Sequence, residues 1–293
     1  MVNLPSVPIL TSIWYRDLGR SADDIKYLIK RVRESYLDGI ELSIDYPLLH
    51  KREIPKVIGT YLRHEGMYLT IHLPWRDLEL ASPLNEIRKA SLRIILNSIE
   101  ELAVLEPTYF ITHLTTEQDN CGYMCRDCID AAKESVSALS DKVREVGIPL
   151  LIETTHEKCC SGDDTLPYIL EEVITNPYVG VCLDPIHLIT RRLRRWGSAV
   201  SLIDLVNDLP PIIINKVEEL HLHGFRELGL GITYVHLIPS NELLKEYASV
   251  IKESLLRDKV KLVVIEAYKD DYGNDVELSR VKSIVREFKG MIR

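Results

Sequence analysis

LLIETTH (150–156) and VGVCLDPIHL (179–188) are the stretches that decide the fold. Each is a short apolar run with ionisable residues near its C-terminal end: Glu153 in the first, Asp184 and His187 in the second. The same pattern recurs in LTIHLPW (69–75) with His72, YFITHL (109–114) with His113, ELHLHGF (219–225) with His221 and His223, and VVIEAY (263–268) with Glu266. Unpaired charge inside a sheet or barrel is costly. Runs that repeat one costly placement imply that their ends converge, and that the meeting point holds a metal ion. A parallel (β/α)8 TIM barrel gathers the C-terminal ends of all its strands on one face.

Eight strands are expected, at 7–13, 38–44, 68–74, 108–113, 149–154, 179–184, 217–223 and 260–267. Helical periodicity fills much of the sequence between them, at 21–37, 87–105, 129–146, 166–175, 241–256 and 277–288. The first of these opens on Ser21 followed by acids, a capping signature. Strands alternating with helices mean βαβ units and a parallel sheet. The unbroken alternation predicts a single barrel domain over residues 1–293, with a cysteine-bearing loop at 115–128. The chain contains no GxGxxG, P-loop or nucleophile elbow.

The net charge is −8. A dedicated nucleic-acid binder is more often basic, so DNA is a disfavoured partner. No apolar run approaches the roughly 20 residues that span a bilayer, so no membrane association is expected. The amino-terminal stretch lacks the basic region and small-residue cleavage site of a signal peptide, and a cytoplasmic location is the default expectation. Nothing in the sequence specifies an oligomeric state. One local basic patch stands out, TRRLRRW (190–196). Arg191, Arg192, Arg194 and Arg195 form one expected substrate-phosphate site; the plain alternative is a solvated helix face.

Side chains alternate faces along a strand, so Cys182 shares a face with Asp184, and His221 with His223. Glu153, Asp184, His221 and Glu266 would make a mixed oxygen and nitrogen donor set. Such a set suits divalent Zn, Mn, Co or Mg rather than a soft metal. Any one of these residues alone reads better as an ordinary strand-end His or a salt-bridged Glu; the joint pattern points to the metal. His50 and His64 read as surface residues, and His156 and His223 are left open.

The chain resembles the xylose-isomerase-like barrel superfamily, which joins endonuclease IV with sugar and sugar-phosphate isomerases and epimerases. IHLPWRDLELASPLNEIRKASL (71–92) is similar to the endonuclease IV segment of an H-x-P-Y/W step, an L-A-S-P turn and a helix. VGVCLDPIHL is similar to the superfamily's G-x-C-L-D-x-x-H. The resemblance implies that Glu153, Asp184, His221 and Glu266 are the shared metal ligands. It implies that His72, His113, His187 and His236 correspond to the extra ligands of the trinuclear endonuclease. One to three ions would follow, with Zn or Mn first. The endonuclease's late D-x-H is Tyr234-Val235-His236 here, and its N-D-S-K after the seventh strand is replaced by GFRELGLGITYVHLIPS.

Cys121, Cys125 and Cys128 form C-x3-C-x2-C after the fourth strand, and Cys159 and Cys160 follow the fifth. They read as a structural zinc site, as disulfides or as unmodified thiols. Three functions remain open at this stage. The first is a metal-dependent isomerase or epimerase of a sugar or sugar phosphate, with the catalytic residues Glu153 and Glu266 flanking the substrate and one of them abstracting a proton next to a carbonyl. The second is an endonuclease IV-like metallo-phosphodiesterase acting on abasic DNA. The third is a non-catalytic metal- or ligand-binding barrel. One metal per chain would favour the first, and two or three the second.

Overall fold

The computed structural model describes residues 7–18, 21–114, 125–156, 159–197, 200–229, 232–270 and 272–292. Eight parallel strands close into a barrel: β1 (Ile9–Ile13), β2 (Gly39–Ser43), β3 (Tyr68–His72), β4 (Phe110–Thr112), β5 (Leu150–Glu153), β6 (Val179–Leu183), β7 (Val217–Leu222) and β10 (Leu262–Ile265). They run around the barrel in the order β1-β10-β7-β6-β5-β4-β3-β2. The (β/α)8 architecture expected from the runs is the observed one.

Alternation along each strand divides the core in two. Ile9, Ile40, Leu42, Leu69, Ile71, Leu150, Ile152, Val181, Leu220 and Val263 cluster with helix residues such as Ile25, Ile58, Ile95 and Val136. Leu10, Ile111, Leu151, Cys182, Leu262 and Val264 have the opposite parity and fill the barrel interior. Extending this inner parity toward the strand C-termini reaches His72, Glu153, Asp184, His221 and Glu266. The pleat of a correctly registered strand therefore aims every one of these side chains inward.

Local chemistry sets the element boundaries. Ser21 caps helix Ala22–Glu34 through a reciprocal capping box with Asp24. Gly147, at φ +74°, ends helix Cys125–Val146 and releases the chain into β5. Gly39 starts β2 where a Cβ would lie 2.1 Å from the Tyr68 carbonyl oxygen, so no other residue fits.

One expected boundary moves, and two elements the periodicity did not mark appear. Cys125 and Cys128 belong to the first turn of helix Cys125–Val146 rather than to the 115–128 loop. TRRLRRW is the C-terminal half of helix Pro185–Trp196. The segment after β7 is an antiparallel hairpin, β8 (Gly224–Gly229) with β9 (Ile232–Leu237). Its six-residue arms carry little of the apolar periodicity that marks core strands. The hairpin docks beside the end of β10, where the backbone N–H of Tyr268 donates to the His236 carbonyl at 2.9 Å. No helix among the described residues is long and apolar enough to cross a membrane.

Candidate metal centre

Ligand atoms of Glu153, Asp184, His221 and Glu266 lie within 4.8 Å of one another at the C-terminal mouth of the barrel. These side chains are 0–5 % exposed. His221 Nδ1 is 3.1 Å from Glu266 Oε2 and 3.6 Å from Glu153 Oε2. Two further groups flank this one. His72 Nε2 and His113 Nε2 both lie 3.1 Å from Glu153 Oε2. His187, His223 and His236 form the other group, also within 4.8 Å. His236 arrives on the hairpin at φ +56°, a strained conformation for a non-Gly residue.

The donor chemistry fits a divalent cation. His113 Nδ1, both His187 ring nitrogens, His221 Nδ1 and His236 Nδ1 are buried without a hydrogen-bond partner among the described residues. Buried polar atoms are rarely left so, and those of His187, His221 and His236 belong to donor groups tight enough to hold an ion. His72 is pre-aimed, because its Nδ1–H donates to the Leu73 carbonyl at 3.0 Å and leaves Nε2 for the shared point. Burial raises the Glu153 carboxyl, but His113 and His221 outweigh it and hold it well below the carboxylate range. Burial raises Glu266 too, and His221 again outweighs it. Burial pushes His72 down, but its bond to Glu153 and the nearby carboxylates lift it to about 9. Without metal, a proton held on His72 supplies part of the positive charge that a dication would bring.

Asp184 has two structural duties besides this one. Its side chain accepts from His187 N at 2.9 Å as N-cap of helix Pro185–Trp196. Its Oδ2 accepts from His223 Nε2 at 2.8 Å. Burial raises its pKa, but His187 and His223 outweigh it and bring it to about 2. Asp184→Asn should therefore keep the cap and weaken metal binding. Asp184→Ala should unfold about 1 kcal/mol more easily than Asp184→Asn, the usual cost of a lost cap. Urea unfolding in chelator checks this; equal stability of the two variants would remove the capping role.

A cavity of about 470 Å³, open to solvent, sits above the donors, walled by Trp14, Trp75, His156 and Tyr268. The Tyr268 hydroxyl donates to Glu266 Oε1 at 2.8 Å and lies 3.0 Å from Ser12 Oγ. His156 faces His187 edge-on at 5.1 Å, and burial drives it down to about 3, so it is neutral. Trp14, Trp75 and Tyr268 escaped sequence reading because they follow the strands in loops with no shared period, whereas His156, left open there, is one of the walls.

The arginine patch does not form the expected anion site. Arg191 pairs with Asp164 at 2.5 Å, and Arg192 with Asp163 at 2.7 Å and Asp208 at 3.4 Å. Their charge is already neutralised by carboxylates of this chain. Arg194 is exposed, and the Arg195 side chain lies outside the described residues. Cys128, Cys159 and Cys160 are buried, with the Cys159 and Cys160 sulfurs 3.1 Å apart. Cys121 and the Cys125 side chain lie outside the described residues. His50 and His64 are exposed.

Sequence reading also missed Glu41 and Glu219, both fully buried beneath His221. Glu219 was legible in ELHLH, since it precedes His221 by one strand period. Glu41 carried the weaker signal of a lone acid inside GIELSI.

No curated protein matches the chain by sequence. Solved structures match along nearly the whole length. The TTHB071 protein from Thermus thermophilus, soaked with ZnCl2, is 18% identical with a TM-score of 0.60, covering 95% of this chain and 97% of that one. A xylose isomerase-like TIM barrel protein from Mycobacterium smegmatis, in complex with magnesium, is 16% identical with a TM-score of 0.66, covering 98% of each chain. An L-ribulose 3-epimerase is 13% identical with a TM-score of 0.66, covering 96% of this chain and 94% of that one. At such identities the likeness establishes the fold. The family model described as xylose isomerase-like TIM barrel matches residues 29–237, and the chain belongs to that family.

Proposed function

We propose that this protein is a metal-dependent epimerase or isomerase of a sugar or sugar phosphate. The observation that carries the reading is the pairing of Glu153 and Glu266 on the floor of one aromatic-walled cavity. Glu153, Asp184, His221 and Glu266 would hold a divalent ion, Zn or Mn first. That ion would supply a Lewis acid for vicinal oxygens of the substrate. Both glutamates are held ionised by neighbouring histidines, the state a general base needs at neutral pH. One glutamate takes the proton from a carbon next to the carbonyl, leaving an enediol. The same glutamate returns that proton to the neighbouring carbon, giving the isomer; for the epimer the other glutamate takes a proton from water in the open cavity and delivers it to the opposite face, and the first releases its proton to solvent. Trp14, Trp75 and Tyr268 offer apolar faces to sugar C–H groups, and His187 and His236 offer polar contacts to hydroxyls. The solved L-ribulose 3-epimerase shares the fold and supports this substrate class.

The groups His72–His113–Glu153 and His187–His223–His236 favour a second reading. Donors for more than one ion suit a metallo-phosphodiesterase, in which two metals about 3.5–4 Å apart clamp a phosphate. The experiment separates the two. Protein loaded with Zn²⁺, Mn²⁺ or Mg²⁺ is incubated in D2O with ketopentoses and ketohexoses, free and phosphorylated, and followed by NMR. Deuterium at a carbon adjacent to the carbonyl is the expected result. No exchange on any sugar, together with metal-dependent nicking of abasic DNA, would replace the first reading by the second.

A further inference from the structure

His221 is the one residue of the proposed centre whose two ring nitrogens face two different buried carboxylate groups. Its Nδ1 looks toward Glu153 and Glu266. Its Nε2 looks down the barrel, 3.2 Å from Glu219 Oε1 and 3.6 Å from Glu41 Oε1. Glu219 stands on the same strand one period earlier, and Glu41 comes from β2. Ligand atoms of Glu41, Glu219 and His221 lie within 4.8 Å of one another, and all three residues are wholly buried. Thr70 Oγ1 donates to Glu41 Oε2 at 3.1 Å, and Cys182 Sγ lies 3.6 Å from Glu219 Oε1. Glu41 Oε1 and Glu219 Oε2 have no hydrogen-bond partner among the described residues.

A barrel interior at this depth is ordinarily filled by branched apolar side chains. Two carboxylates there carry a desolvation penalty of several kcal/mol each, and an apolar pair of similar volume is often neutral or more stabilising. Packing therefore gives no reason for them. Their geometry toward His221 does. A carboxylate at Nε2 fixes the imidazole in the Nε2–H tautomer, fixes the ring plane and leaves the Nδ1 lone pair for the ion. His221 Nδ1 in turn faces the proposed ligands, 3.1 Å from Glu266 Oε2 and 3.6 Å from Glu153 Oε2.

We propose that Glu219, backed by Glu41, is a positioning residue that holds His221 for the metal from inside the barrel. The proposal rests on the metal reading of Glu153, Asp184, His221 and Glu266. Glu219→Met removes the acceptor at similar volume, and Glu219→Gln keeps an acceptor oxygen but cannot ionise. Both are titrated with Co²⁺ by calorimetry, and the d–d absorption spectrum is recorded. Melting of the metal-free forms is measured beside them.

Glu219→Met should bind Co²⁺ about 10–100-fold more weakly with an altered spectrum, the usual loss when such a partner is removed. Its metal-free melting temperature should be equal to or above that of the wild type. Glu219→Gln should fall between the two in affinity. A merely structural Glu219 gives the reverse: a lower metal-free melting temperature, with affinity and spectrum of the folded protein unchanged. That result overturns the proposal. If Glu219→Met does not fold, wild-type affinity and spectrum in Glu219→Gln overturn it instead, and a weaker affinity with a shifted spectrum supports it. Absence of Co²⁺ binding by the wild type refutes the metal reading itself.

Discussion

Glu153→Gln should eliminate measurable sugar exchange while the barrel stays folded. A carboxamide cannot take a proton from carbon, and loss of a positioned base costs typically 10²–10⁴-fold. The effect should be larger here than at Glu266. Glu153 Oε2 is the atom to which His72, His113 and His221 all turn, whereas Glu266 Oε2 faces His221 and His236. Placing an amide at residue 153 disturbs the central donors and the first flanking pair together. Metal content per chain is measured alongside the rate, so that loss of base and loss of ion are told apart. A fully loaded Glu153→Gln exchanging at more than about a tenth of the wild-type rate would assign the base elsewhere.

Metal ion should stabilise the fold by an amount that grows with pH. A ligand bound only by the native state at about 1,000 times its Kd contributes about 4 kcal/mol. For a chain of this length that is a rise of about 8 °C in melting temperature, at about 2 °C per kcal/mol. The pH dependence has a definite sign. Burial lowers the basicity of His72, but Glu153 and its neighbours raise it to about 9. Metal binds the neutral ring, so below about pH 9 a proton must leave as the ion enters. The stabilisation should therefore increase from about pH 6 to 9 and level off above. Melts with Zn²⁺ or Mn²⁺, against chelator, test this. An equal melting temperature with and without metal across that range would mean that the histidines answer to the carboxylates alone.

VGVCLDPIHL, LLIETTH and their relatives were readable because a strand makes only two demands on its sequence. It needs apolar residues on the faces it buries and a period of two. An ionisable residue at the end of such a run violates the first demand, so it is conspicuous without any structure. That is why the barrel, the four central residues and the early histidines were legible. The resemblance then added His236 to His187, and the structure brings both to the same cavity. What the sequence could not decide depends on distances between segments far apart in the chain. TRRLRRW looks like an anion site until Asp163, Asp164 and Asp208 are brought against it, and opposite charge nearby is a tertiary fact. The late D-x-H lacks its Asp, yet His223 stands beside His187 and His236, because the β8–β9 hairpin brings the His236 backbone N–H to His223 Nδ1 at 3.1 Å. Glu41 and Glu219 lie 178 residues apart in sequence (219 − 41) and meet only because the barrel closes. Periodicity assigns a side chain to a face; the registers and closure of the sheet decide which other side chain it finds there.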